Sequence, residues 1–224
     1  MKKLLCVLLA LLLIIQTGAF AATSAEDIIK DSVLMLNDPD LQDEFSSMAQ
    51  TLKDSCAVAI IPSMFKAGFL LGGEYGEGLI LRRKNGKWYG PGFYNIGGGS
   101  FGLQLGAQNI SLLLAVMNEK GLNAFLNNKT KLGGDIGIAA GPVGRRAEAA
   151  TDIQAEASIY SYSMTKGLFA GLSLEGSVIS ISVKRNKEYW NKTISAPDIL
   201  AIEAKDERIK PLINELEKIL KSSE

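Results

Sequence analysis

Residues 133–181 read GGDIGIAAGPVGRRAEAATDIQAEASIYSYSMTKGLFAGLSLEGSVISI, and this stretch decides the fold class. Ile153, Ala155, Ala157 and Ile159 alternate with Asp152, Gln154, Glu156 and Ser158, the period of a half-buried strand. Gly167 sits between two runs of such alternation, so Ser161–Gly171 is expected to hold a hairpin connection, with the second strand over 168–183. Ala139–Arg145 joins small residues, Pro142 and Gly144 to the pair Arg145-Arg146, which suits a tight exposed corner. Neither segment carries a nucleophile with a base, a metal cluster or a phosphate loop. The stretch describes a β-scaffold.

Upstream, thirteen of the 23 glycines fall between Gly68 and Gly106. Val58–Ile61 reads as a short strand ending at Pro62, and Gly72–Gly78 as a glycine-dense segment with little to bury. Leu79–Arg83 and Lys87–Tyr89 flank Asn85-Gly86, the strongest short-range hairpin signal. Phe101, Leu103 and Leu105 alternate with Gly102, Gln104 and Gly106. The apolar run Ile110–Met117 suits a buried strand, followed by a short helix from Asn118 to about Asn127. Lys184-Arg185-Asn186-Lys187 is expected to be a turn, with Glu188–Thr193 returning as a strand.

The flanks are helical. Ser24 is a candidate N-cap with Asp27 completing a capping box, and Ile28, Ile29, Val33 and Leu36 form the first apolar stripe. Its polar face carries Glu26, Asp27 and Asp31 against a single Lys30, which favours packing on the sheet over lying on a membrane. Asn37-Asp38-Pro39 breaks it, and Asp38 caps a second helix with Leu41, Phe45, Met48 and Leu52 on one face. Ser195 and Pro197 open a short helix. Residues 206–221 form an amphipathic one, with Ile209, Leu212, Ile213, Leu216, Ile219 and Leu220 on one side.

Residues 1–21 have the pattern of a secretory signal: Lys2-Lys3, an apolar core from Leu4 to Ile15, and Ala19-Phe20-Ala21 at a small-x-small cleavage site. The expected mature domain is 22–224. Lys2 and Lys3 aside, 22 basic residues face 24 acidic ones, a formal charge of −2 that argues against a general nucleic-acid binder. Cys56 is then the single cysteine; it cannot close an internal disulfide and is expected to be a buried, inert thiol.

The chain has no histidine, which removes Ser-His-Asp and Cys-His catalysis and histidine-based zinc sites. No pair of acids is set across a cleft by spacing. Gly97-Gly98-Gly99-Ser100-Phe101-Gly102 matches G-x-G-x-x-G, but an alternating strand follows where a dinucleotide site needs a helix. No catalytic residue, metal ligand or cofactor is expected.

Two segments invite a functional reading. Arg82-Arg83-Lys84-Asn85-Gly86-Lys87-Trp88 and Lys184-Arg185-Asn186-Lys187-Glu188-Tyr189-Trp190 each join cations to a tryptophan. Cations attract phosphate headgroups, and tryptophan favours the bilayer interface. The candidate lipid-binding set is Arg82, Arg83, Lys84, Lys87, Trp88, Arg145, Arg146, Lys184, Arg185, Lys187 and Trp190. It requires the basic segments at one end of the sheet. The competing reading has basic, solvated turns with both tryptophans packed inward.

Taken in order, Ile61-Pro62 with Phe65–Phe69, Gly72–Gly78, Trp88, Pro91, Phe93, Gly102–Gly106, Ala140–Arg145, Tyr162-Ser163, Lys166–Gly171 and Glu175-Gly176 resemble the SYLF family over about residues 30–203. One departure is Tyr189-Trp190-Asn191, where the family tends to Tyr-Tyr-Gly. The resemblance implies a non-enzymatic domain that binds membrane lipid.

The expectation is therefore a single α+β domain, a curved, mainly antiparallel, barrel- or sandwich-like sheet covered by N- and C-terminal helices. It would be periplasmic or secreted and bind anionic phospholipid at a membrane surface. The alternatives are an envelope protein-interaction module and a carrier with an internal apolar cavity.

Overall fold

The computed structural model describes residues 23–39, 42–141, 157–163 and 174–222, with backbone alone at 42–47, 68–71 and 100–107. The elements in order are α1 (Ala25–Leu36), α2 (Gln42–Asp54), β1 (Ala57–Lys84), β2 (Lys87–Val116), α3 (Glu119–Leu126), β3 (Thr130–Lys131), β4 (Ile138–Ala140), β5 (Ile159–Ser163), β6 (Val178–Ile181), α4 (Val183–Trp190), α5 (Ala196–Ile199) and α6 (Lys210–Lys221). They form an α+β unit with a curled, mainly antiparallel sheet. The signal-like segment 1–21, the Arg145-Arg146 corner and the Gly167 hairpin lie outside the described residues.

One hairpin dominates. β1 has 28 residues and β2 has 30, paired antiparallel from Ala57↔Val116 to Lys84↔Lys87. Asn85 and Gly86 close it with φ of 52° and 71°, the two positive values of a type I′ turn. The expected strand end at Pro62 and the separate glycine-dense segment are both corrected: the strand runs through them. Pro62 falls at the register shift between Ile61 and Met64, where a missing N–H costs no ladder bond. The glycine-dense segment of β1 pairs with residues 94–100 of β2, which include three glycines (Gly73↔Gly99, Glu74↔Gly98, Tyr75↔Gly97), so a segment with little to bury still completes its backbone hydrogen bonds.

At about 3.3 Å per residue a straight β1 would run roughly 90 Å, several times the radius of gyration of about 16 Å for a domain of this size. It curls instead. The shifts at Ile61/Met64, Gly68/Leu70 and Ile80/Arg82 supply the bends. The curl brings the two ends of β1 together, and the Arg83 amide donates to the Cys56 carbonyl at 2.7 Å. Its halves cross at glycine. A Cβ on Gly78 would stand 2.4 Å from the Ile60 carbonyl oxygen and 2.9 Å from the Tyr94 ring. One on Gly76 would stand 2.9 Å from the Ile61 Cγ2 methyl.

The other edge of β2 takes β6 at Tyr94–Gly97 and β5 at Leu112–Val116. β3 extends β6 antiparallel, and β4 joins β5 in parallel. Along its apolar runs both faces of the sheet are buried. On the outer face Val58, Ile60, Leu79, Leu81 and Leu113 pack against α1, α2 and α6. On the inner face Ile61, Met64, Ile80, Tyr94 and Leu114 pack against Leu122 and Phe125 of α3 and Ile199 of α5. This explains why 57–61 and 110–116 read as unbroken apolar runs.

Most helices match their sequence signals. In α1, the Ser24 hydroxyl accepts from the Asp27 amide at 3.0 Å, and the Asp27 carboxylate accepts from the Ser24 amide at 2.8 Å. Its buried Ile28, Ile29, Met35 and Leu36 place it on the sheet. Ser195 caps α5, Pro211 sits in the first turn of α6, and Leu212, Leu216, Ile219 and Leu220 are buried. The expected turn at 184–187 and returning strand at 188–193 are corrected to the single helix α4. Arg185, Asn186 and Tyr189 share its buried face, and Asn186 pairs with the Phe93 backbone, accepting from N at 2.8 Å and donating to O at 2.9 Å. Asn191 ends α4 with φ of 53°, the position that favours glycine and next tolerates asparagine, so the departure from Tyr-Tyr-Gly preserves the local shape. Among the described residues no helix is long and apolar enough to cross a membrane.

Gly78→Ala is expected to lower unfolding free energy by about 2–3 kcal/mol, because backbone must move to admit the methyl group. Gly73→Ala, whose Cβ would meet nothing closer than 3.9 Å, should stay within about 0.5 kcal/mol of the parent. Chemical denaturation of both variants checks the contrast.

Candidate lipid-facing surface

The type I′ turn projects a compact basic tip. Lys84 and Lys87 are direct cross-strand partners and both are exposed. Like charges held opposite one another weaken a hairpin by a fraction of a kcal/mol. Glu203 offsets part of this repulsion. Its carboxylate lies 3.3 Å from the Lys87 ammonium and 3.0 Å from that of Lys205. The hydrogen bond from Lys205, aided by the one from Lys87, holds that carboxyl below its ordinary value.

Behind the tip the side chains turn inward and anchor it. Arg82 donates to Glu119 of α3 at 2.6 Å. Arg83 donates to the Lys53 carbonyl at 3.2 Å, and its guanidinium carbon lies 5.9 Å from the centre of the Trp88 ring. Trp88 is only 5% exposed and donates from Nε1 to Glu217 of α6 at 2.6 Å. As a lipid contact Trp88 is therefore corrected to a core residue: its indole fills the space under α6.

The second basic segment divides in the same way. Lys184 and Lys187 are exposed on α4. Arg185 is buried, 3.0 Å from Glu77 and 3.1 Å from Glu188. Trp190 is half-buried and donates to the Pro91 carbonyl at 3.1 Å. Arg185, through Glu77, and Trp190, through the Pro91 carbonyl, hold α4 to the two strands of the hairpin. The two segments do not share one end. Asn186 meets β2 at Phe93, six residues beyond Lys87, roughly 20 Å along a strand. Arg145 and Arg146 lie outside the described residues.

Two polar clusters went unread in the sequence. Arg208 lies 4.0 Å from the centre of the Tyr189 ring, reaches Asp206 at 2.6 Å and Glu26 at 3.4 Å, and so ties the approach to α6 to α1 and α4. Its hydrogen bonds hold the Asp206 carboxyl below its ordinary value, and burial, with Asp206 adding to it, pushes the Tyr189 hydroxyl well up. The other cluster is on the inner face. Glu74 is more than nine-tenths buried, accepts from the Ser177 hydroxyl, and lies 2.9 Å from the Lys66 ammonium. Its signal was the alternation Glu74, Gly76, Gly78, which sets a carboxylate on the inner face of a strand. Cys56, expected to be buried, is half-buried, and desolvation pushes its thiol above the ordinary range, which lowers its thiolate fraction. Among the described residues no three Cys, Asp or Glu side chains are grouped to hold a metal.

A family model described as "Ysc84: Las17-binding protein actin regulator" matches residues 97–219, more than half of the chain. The chain belongs to the Ysc84 family. The SYLF resemblance of its glycine-rich motifs and this match agree. Bovine SH3 domain-containing YSC84-like protein 1 is 34% identical over 154 residues, covering 68% of this chain and 45% of the relative. Protein YSC84 of Saccharomyces cerevisiae is 34% identical over 175 residues, 76% of this chain and 36% of the relative. LAS seventeen-binding protein 3 from the same yeast is 36% identical over 154 residues, 67% of this chain and 33% of the relative. The chain thus spans less than half the length of these curated relatives. No solved structure matches it. The family match begins at Gly97, so it includes α4 with Lys184, Arg185, Lys187 and Trp190, whereas the hairpin tip precedes it.

Asp206→Asn is expected to lower the thermal midpoint at neutral pH. A depressed carboxylate contributes stability that is complete above its unfolded value, near 4, and is lost as pH falls through the folded value. The gap between parent and variant should therefore narrow below about pH 4, as thermal melts across that range would record.

Proposed function

We propose that this Ysc84-family chain is a non-enzymatic protein of the bacterial envelope that associates peripherally with anionic phospholipid through its basic hairpin tip. The carrying observation is the exposed cross-strand pair Lys84–Lys87 at the type I′ turn. The chain accepts like-charge repulsion there, offset only in part by Glu203, and leaves both lysine side chains exposed. A surface of lipid phosphates relieves that repulsion and gains about 1 kcal/mol per lysine at the membrane. Arg82, Arg83 and Trp88 hold the tip from behind, and Lys205 widens its positive field. Lys184 and Lys187 belong to a second, separate basic surface in this reading. The signal-like residues 1–21 support export and a periplasmic or secreted location.

The second reading is a protein partner. It is favoured by the family description, in which relatives are named for binding Las17 and carry SH3 domains. Charge offers the same tip to an acidic protein surface.

Co-sedimentation with vesicles of phosphatidylcholine, alone or with phosphatidylglycerol, at low and physiological salt separates the two. Lipid binding predicts association with the anionic vesicles alone, weakened by salt. Lys84→Ala with Lys87→Ala should reduce it roughly thirtyfold, at about 1 kcal/mol for each charge removed. Equal binding to both vesicles, or none, would overturn the lipid reading and leave the protein partner.

A further inference from the structure

Beyond Met64 and Ile110 the inner face of the curl changes from apolar to polar. The next cross-strand pair on that face is Lys66↔Gln108, and across the bend of β1 stands Glu74. The Glu74 side chain is only 4% exposed. One of its oxygens, Oε1, accepts from Ser177, while Oε2 has no hydrogen-bond donor. The Lys66 ammonium is 2.9 Å from Oε2, close enough for ion pairing but outside hydrogen-bond geometry. Gln108 Oε1 is likewise buried without a donor. Gly98 makes room for the carboxylate: a Cβ there would stand 3.3 Å from Glu74 Oε1 and 3.2 Å from the Ser177 Cα.

We propose that the Glu74–Lys66 pair is a binding site for an ammonium–phosphate zwitterion, the chemistry of phosphoethanolamine, free or as the headgroup of phosphatidylethanolamine. A buried carboxylate oxygen whose one cation stands outside hydrogen-bond geometry is under-satisfied, and a primary ammonium brings three N–H groups to it. The phosphate of the same ligand then takes the Lys66 ammonium, whose side chain is 23% exposed and long enough to swing outward. The exchange leaves the net charge of the site unchanged. A simple anion would face Glu74 and a simple cation would face Lys66, so a ligand bearing both charges fits best. Choline, with no N–H, cannot supply the missing donor.

The free zwitterion and a lipid headgroup carry the same two charges, so either source fits the site. The proposal rests on the lipid reading for the headgroup source alone, since the site and the hairpin tip share no residue.

Phosphoethanolamine and phosphocholine are titrated into the full chain and followed by calorimetry or NMR. The site predicts binding of phosphoethanolamine and at least about tenfold weaker binding of phosphocholine, the worth of a hydrogen bond to a charged group. Equal binding of the two, or binding of neither, overturns it without any variant. Glu74→Gln keeps an acceptor for Ser177 and should abolish the preference, as should Lys66→Met; retention of the preference in both would also overturn the site. Phosphatidylethanolamine in phosphatidylcholine vesicles then distinguishes the sources. Increased sedimentation that Glu74→Gln removes assigns the headgroup. Unchanged sedimentation, with phosphoethanolamine still bound, supports the site for the free zwitterion. Because Glu74→Gln leaves the tip intact, binding to phosphatidylglycerol vesicles should persist in it, so failure of the tip and failure of this site are read separately.

Discussion

The close passage of β1 over itself is the constraint on which the remaining architecture depends. Gly76 and Gly78 lie against Ser63, Ile61 and the carbonyl of Ile60, at separations that admit no side chain. A strand of 28 residues therefore becomes a closed bend, and its partner β2 must follow it through 24 paired positions. The bend sets Cys56 beside Arg83, which brings the base of the hairpin tip against α2 and α3. It also turns Glu74 and Lys66 toward each other. The projecting tip and the polar inner face are two products of one backbone crossing.

That crossing also accounts for the distribution of apolar residues. A curled sheet with helices on both sides has little bare surface, so successive residues in Val58–Ile61 and Leu112–Val116 are buried against opposite partners. Trp88 and Arg185 follow the same logic. Each looks like a surface residue beside a basic cluster, yet Glu217 satisfies the indole and Glu77 with Glu188 satisfies the guanidinium inside the packed layer. In the two basic segments the exposed positive charge is left to lysines, whose long stems carry the ammonium away from the core.

The local chemistry of the chain announced much of this. Ser24 and Asp27, Asn85-Gly86, Ser195 and the apolar stripe of α6 act within a few residues, and each forms the element its pattern implies. What could not be read depends on partners far along the chain. The Gly72–Gly78 segment resembles a loop until its glycine-rich partner at 97–100 supplies the ladder. Residues 183–190 have a basic composition that suits a turn; the helix is selected by Asn186 clasping Phe93, 93 residues away. The inner-face pair was hidden for the same reason, because Lys66 meets Glu74 across the bend and Ser177 comes from beyond β5. Family membership was legible in short motifs read in order, and Gly76 and Gly78 among them are the glycines that the crossing demands.

A nuclear Overhauser measurement between the Gly76 α-protons and the γ2-methyl of Ile61 tests the crossing most directly. The two residues belong to one strand and stand fifteen positions apart, about 50 Å in a straight strand. The fold described here predicts a strong contact, because a Cβ at Gly76 would lie 2.9 Å from that methyl carbon. Absence of the contact in a folded chain whose β1–β2 cross-strand contacts are otherwise complete would contradict the self-crossing, and with it the placement of both the tip and the inner-face pair.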